Sequence, residues 1–150
     1  DIEALEKVIH LEKYYDIEPS LLSRLFSLNK KLGEKWSNYF AIKVADKKTL
    51  EKIRYSMENH SDLMLVAYKY GQLVAESWLV NSNSKLIPVE KHLAKEIIIT
   101  AANASFPLSG KDLLNQFESG PELGKKLIQL EDIWLKSKFK LNKKDLLKYL

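Results

Sequence analysis

Apolar positions recur every three or four residues along almost the whole chain, a spacing that predicts one helix after another. Leu5, Val8, Ile9 and Leu11 place an apolar face on a helix over residues 3–15. Pro19 is expected at the first position of a second helix, where a missing N–H is not needed. Leu21, Leu22, Leu25, Phe26 and Leu28 then form a broad apolar face, with Gly33 as the stop. A short aromatic segment follows at residues 36–42. Asp46 is placed to cap a helix reaching about Asn59, with Leu50, Ile53 and Met57 inward and Lys47, Lys48, Lys52 and Arg54 pointing elsewhere. Ser61 is expected to cap one long helix over residues 61–80. There Leu63, Val66, Ala67, Tyr70, Leu73, Val74 and Trp78 cover more than one face, as in a helix central to a bundle.

Asn81, Ser82, Asn83 and Ser84 read as a loop, and Pro88 opens a helix through Ile97, Ile98 and Ile99 to about Ala102. Phe106, Pro107 and Leu108 break the pattern and mark a boundary. Beyond it, Ser109 and Asp112 have the spacing of a capping box for a short helix over residues 111–117. Pro121 opens the next helix, where Leu123, Leu127, Leu130 and Trp134 form a narrow 4-3-4 seam. Asn142 caps a last helix carrying Leu146, Leu147 and Leu150. No hairpin signal and no sustained period of two interrupts this. The expected fold is all-α, about seven to nine short helices without a sheet, with a helical body over residues 1–105 and a small helical tail over residues 106–150.

Composition narrows the chemistry. The chain of 150 residues has no cysteine, which excludes disulfides, thiolate zinc sites and a cysteine nucleophile. The longest apolar run, residues 63–68, is far short of the roughly 20 that span a bilayer. No signal-peptide pattern opens the chain, so a cytoplasmic protein without a membrane partner is expected. With no initiator Met, the chain is expected to be a piece of a longer one. Net charge is +4, and residues 106–150 hold nine Lys against six Asp or Glu, so most of the excess lies in the tail. A basic end suits a polyanionic partner.

Candidate catalytic residues are sparse. His92 and Glu96, spaced i, i+4, are half of a metal site with no further ligands near in sequence, and zinc wants three or four. Glu131 and Asp132, being adjacent on a helix, point in different directions. No nucleophile elbow and no phosphate-cradling loop occurs. The tail offers something else. Gly120 can take a positive φ and stop one helix, Pro121 presets the next, and Gly124 leaves room for close approach to its first turn. Free N–H groups of that turn, with the helix dipole, favour an anion. Lys111, Lys125 and Lys126 lie beside two helix starts and suit a phosphate backbone; Lys47, Lys48 and Lys52 form a second basic face, in the body.

This tail resembles the C-terminal signature of bacterial CCA-adding enzymes, the tRNA nucleotidyltransferases grouped with bacterial poly(A) polymerases. Gly110, Asp112 and Leu113 match a small helix reading Gly-x-Asp-Leu; Gly120, Pro121, Gly124 and Leu127 match the Gly-Pro-x-x-Gly-x-x-Leu that follows. Glu131, Trp134, Phe139 and the Leu146-Leu147 pair resemble the close of the family's chain. Arg24 within Leu21–Leu25, and Tyr68 with Gly71, resemble its body helices. Residues 115–119 depart from it, lacking the Leu-Gly link common there.

The resemblance implies a body and tail that hold tRNA, with partners in the catalytic head and neck of the parent chain. It assigns magnesium, ATP and CTP to that head, whose Gly-Gly loop and Asp-x-Asp do not occur in this sequence. The neck's Glu-Asp-x-x-Arg is not met by Glu131 and Asp132, since Leu135 stands where Arg is needed. No cofactor is therefore expected in this chain, and it should be inactive alone. Two other readings rest on the residues. A helical protein-interaction domain would dock through Trp36, Tyr39 and Phe40, or through Trp134 and Phe139. A helix-turn-helix DNA binder would use the Pro121 helix, which carries only Gln129 as a side chain suited to base edges.

Overall fold

Residues 72–81 carry only a narrow polar edge, Gln72 and Glu76 one turn apart, while Val74, Ala75, Trp78, Leu79 and Val80 point to most other sides, and such a helix must be largely enclosed. The computed structural model describes residues 1–28, 41–82 and 90–150, and encloses this segment. The described residues form helices α1 (Ile2–Tyr15), α2 (Leu21–Leu28), α3 (Val44–Asn59), α4 (Leu63–Tyr70), α5 (Gln72–Asn81), α6 (Lys91–Asn103), α7 (Gly110–Leu113), α8 (Pro121–Lys136) and α9 (Lys143–Leu147), with no strand among them. The fold is all-α. The chain divides into two compact units, Asp1–Asn103 and Ala104–Leu150.

In the first unit α5 is the hub and packs against α1, α2, α3, α4 and α6. Its last five residues, Ser77 to Asn81, are all buried. Asn81 sits in the helix rather than in a loop, because its amide has work inside. Asn81 Nδ2 donates to the Ser23 carbonyl (3.3 Å), Ser23 Oγ (3.0 Å) and the Ser77 carbonyl (3.0 Å), joining α2 to α5. A second polar tie holds α1 to α2. Glu12 is only 2% exposed and takes both Arg24 Nε (3.0 Å) and Nη2 (2.8 Å). A buried carboxylate needs such a two-pronged donor to offset its lost hydration.

Several boundaries differ from the pattern-based expectation. The single helix over 61–80 is two helices, α4 and α5, divided at Gly71 (φ +86°, ψ 177°). That backbone state is open mainly to glycine and ends α4 outright. Asp62, not Ser61, caps α4, its carboxylate accepting from the Met64 N–H. With the helix broken, Leu73 turns outward. Pro19 precedes α2 and is exposed; Ser20 is the cap, its hydroxyl accepting from the Ser23 N–H at 3.3 Å. Helix α3 starts two residues before Asp46, which lies in its first turn. Gly33, Pro88 and most of the aromatic segment 36–42 lie outside the described residues.

The second unit is built on the α8 seam. Leu130 and Trp134 are buried, and Leu123 and Leu127 half-buried. The Trp134 ring lies 5.5 Å from that of Phe106 and 4.9 Å from that of Phe139. Phe139 reaches it because Lys138 and Phe139 both take left-handed backbone (φ +55° and +64°) just past α8. There the Phe139 N–H donates to the Trp134 carbonyl at 3.1 Å. Two consecutive non-glycine residues in that region are costly, and the ring contact offsets the strain. Helix α7 is four residues long, shorter than expected: the Gln116 and Phe117 N–H groups both close turns on the Leu113 carbonyl.

Trp134→Ala removes the ring around which Phe106 and Phe139 stack. It should destabilise this unit by roughly 3–5 kcal/mol. Thermal unfolding followed by circular dichroism checks this, and an unchanged melting profile would contradict the burial of Trp134.

Candidate nucleic-acid interface

The tail places its two helix starts next to each other by one close approach. A Cβ on Gly110 would lie 3.2 Å from Leu123 Cδ2, so α7 begins against the first turn of α8 and only glycine fits without a shift. Lys111 follows directly and is exposed. The start of α7 is closed by a reciprocal cap. The Ser109 N–H donates to Asp112 Oδ2 at 2.8 Å, the Ser109 hydroxyl bonds the same oxygen at 3.1 Å, and the Asp112 N–H returns to the Ser109 carbonyl. Asp112 Oδ1 takes Lys143 Nζ, which fastens the start of α9 to this cap. Sequence spacing showed the cap but not Lys143, which lies 31 positions away.

The start of α8 is open by contrast. Gly120 (φ +150°) has no side chain to accept from the first-turn N–H groups, and no side-chain cap is made there. A Cβ on Gly120 or on Gly124 would meet nothing within 4 Å among the described residues. Gly120 has its conformation as a reason to be glycine. Gly124 is helical and has no internal reason, although glycine in a helix interior costs about 1 kcal/mol relative to Ala. The two lysines behind it are occupied only at the surface. Lys125 pairs with Glu122 at 3.0 Å, both ends about three-quarters exposed, a pairing weak enough to exchange for another anion. Lys126 Nζ donates to the Tyr149 carbonyl at 3.0 Å. Lys111, Gly120, Gly124, Lys125 and Lys126 thus belong to one small region of the tail.

Lys47, Lys48 and Lys52 lie on α3, in the other unit. Lys48 and Lys52 are exposed one turn apart, while Lys47 is half-buried a third of a turn away. The remaining candidates are dispersed. His92 and Glu96 are both exposed, and among the described residues no three His, Asp or Glu side chains gather as a metal site. The docking surface expected of Trp134 is not available, since that ring is buried; Trp36, Tyr39 and Phe40 lie outside the described residues. Among the described residues no helix is long and apolar enough to cross a membrane.

No family model, no curated protein and no solved structure matches this chain.

The hydrogen bonds from Lys143 and Ser109 hold the Asp112 carboxyl below its ordinary value near 3.8. A carboxyl lowered in the folded state contributes stability that is present above its unfolded value and is lost as pH falls through the folded one. The tail should therefore loosen as the solution is taken below about pH 4. Asp112→Asn should lower the melting temperature at pH 7 and flatten this acid limb. Melting curves between neutral and strongly acid pH check it, and parallel curves for the two proteins would contradict the Asp112 pairing.

Proposed function

We propose that this chain is the helical body and tail of a CCA-adding or poly(A)-adding tRNA nucleotidyltransferase, and that its tail grips the tRNA phosphate backbone. Gly124 carries the reading: a helix-interior glycine in the first turn of α8 that no side chain among the described residues packs against. The family resemblance supports it, because Gly110, Asp112, Leu113, Gly120, Pro121, Gly124 and Leu127 are the residues that bear the likeness. Gly110 and Asp112 serve the tail's own architecture. Gly120 and Gly124 are left facing outward.

In this reading a backbone phosphate settles over the first turn of α8. The N–H groups beyond Pro121 donate to its oxygens, the helix dipole adds to the attraction, and the bare Gly124 lets the phosphate approach. Lys125 exchanges Glu122 for phosphate, and Lys111 and Lys126 add charge from either side. Contacts of this kind position an RNA without reading its sequence, and A-form RNA is held mostly by shape and backbone. Lys47, Lys48 and Lys52 serve the body in the same way. Magnesium, ATP and CTP belong to the head and neck of the parent chain. The sequence has no Gly-Gly loop and no Asp-x-Asp for them, so no step of nucleotide addition is assigned to these residues.

Replacing Lys125 and Lys126 together by Glu should weaken tRNA binding at low salt. The log-affinity against log-salt slope should fall by about one unit for each phosphate that is no longer neutralised. Lys125 is exposed, whereas Lys126 is half-buried one turn before Leu130 and holds the Tyr149 carbonyl, so Lys125→Glu alone accompanies the double variant and circular dichroism must show an unchanged helical signal before either affinity is read. Gly124→Leu should weaken binding without changing charge. Titration of tRNA at several salt concentrations, with circular dichroism as control, is the measurement. Unchanged affinity and slope in these variants would remove the tail from the interface.

The same protein, mixed with tRNA lacking its 3′ end, magnesium and labelled CTP or ATP, should incorporate no label above a heat-killed control. Incorporation would contradict the assignment of the chemistry to a separate head.

A further inference from the structure

Outside the tail, three aromatic rings meet where α3 ends and α4 begins. Tyr55 is 55% exposed on the last turns of α3, and His60 follows directly after that helix. Tyr70 stands at the far end of α4. Side chains on a helix lean toward its N-terminus, and Tyr70 leans back far enough for its hydroxyl to meet His60 Nε2 at 3.0 Å. The His60 ring lies 5.6 Å from that of Tyr70 and 6.1 Å from that of Tyr55, tilted or edge-on in both cases. Edge-on packing with a hydrogen bond holds the rings in place and leaves much of Tyr55 in solvent.

The surrounding charge has a pattern. On α3 the positions Lys48, Lys52, Tyr55 and Asn59 fall within about 60° of one another, a single outward stripe ending at the aromatic group. Exposed Glu51 and Glu58 flank Tyr55 on its other side, one turn before and one turn after it, so the cations reach the ring from the Lys52 side alone. Partial burial, with exposed Lys69 on α4 adding to it, holds the His60 imidazole below its ordinary value. An aromatic surface, with Lys52 and Lys48 leading to it along one line, matches the two halves of a nucleotide: a base that stacks and a phosphate that is neutralised.

We infer that Tyr55, with His60 and Tyr70 behind it, is a stacking platform for an unpaired nucleotide of a single RNA strand whose phosphates run along Lys52 and Lys48. The site shares those two lysines with the tRNA reading but not the tail. A duplex offers no free base face, so the platform distinguishes unpaired from paired RNA, which backbone contacts alone do not.

The test uses the full chain and a short fluorescein-labelled single-stranded RNA of mixed sequence, beside the blunt duplex of that strand with its complement. The wild-type protein should bind the strand, and Tyr55→Ala should weaken that binding about tenfold or more. Tyr55→Phe, which keeps the ring, should stay near the wild-type affinity. Duplex binding should be nearly indifferent to both. Tyr55 is exposed, so neither variant threatens the fold, and circular dichroism verifies this. Equal strand affinity for wild type and Tyr55→Ala, or no strand binding by the wild type, overturns the platform. A protein that binds the strand through Tyr55 but does not bind tRNA overturns the tRNA reading and keeps the platform. One that binds tRNA through Lys125 and Lys126 with no Tyr55 effect on the strand does the reverse.

Discussion

Everything in the first unit is arranged to enclose the second half of α5, Ser77 to Asn81, which has no side for water. Burying α5 on all but its Gln72–Leu73–Glu76 side contributes apolar area from Val74, Ala75, Trp78, Leu79 and Val80 at once. It also places polar side chains where an unpaired group forfeits its hydration with nothing in return; Ser77 Oγ and Trp78 Nε1 bear that cost among the described residues, and the Asn81 amide is under the same demand to pair. Asn81 meets that demand by donating to α2 and to its own preceding turn. The small side chains Ser23 and Ser77, almost wholly buried, let the helices come close enough for this. The Glu12–Arg24 pair then fixes α1 on α2 from the rim, with Arg24 still partly hydrated. Five neighbours packed on one helix follow from that single demand.

How much of this could be read from the residues differs by element. That residues 61–80 are apolar on more than one face was legible, as were the Ser109–Asp112 cap, the Pro121 helix start and the Asn142 cap, whose Oδ1 accepts from the Asp145 N–H. Each is a local signal, complete within four residues or one helical repeat. The break at Gly71 was not legible, because Leu63, Val66, Ala67, Val74 and Trp78 keep a helical spacing across it. Periodicity records which side chains are apolar, not which φ the chain adopts between them. Pro19 failed for a related reason: a proline suits the position before the cap as well as the one after it, and Ser20 was the better cap.

The candidate site divides in the same manner. Gly120, Gly124, Lys125 and Lys126 lie within two helical turns, so their proximity was evident from sequence. The difference between Gly110, pressed on Leu123, and Gly124, facing open space, required coordinates. So did the group formed by Tyr55, His60 and Tyr70, whose members belong to two helices and a connection. No spacing rule joins positions 55, 60 and 70; the lean of Tyr70 along α4 does.

The enclosure of α5 also sets an order in time. A helix whose amides are covered by five neighbours can exchange them with solvent only when those neighbours leave, that is, by opening the whole unit. Its apolar faces in turn give it little reason to form before they arrive. Helices α1 and α3, each with a solvent side, can fray and exchange through small local openings. The amide protons of residues 77–81 thus report the opening of the whole first unit, while those of its frayed ends do not.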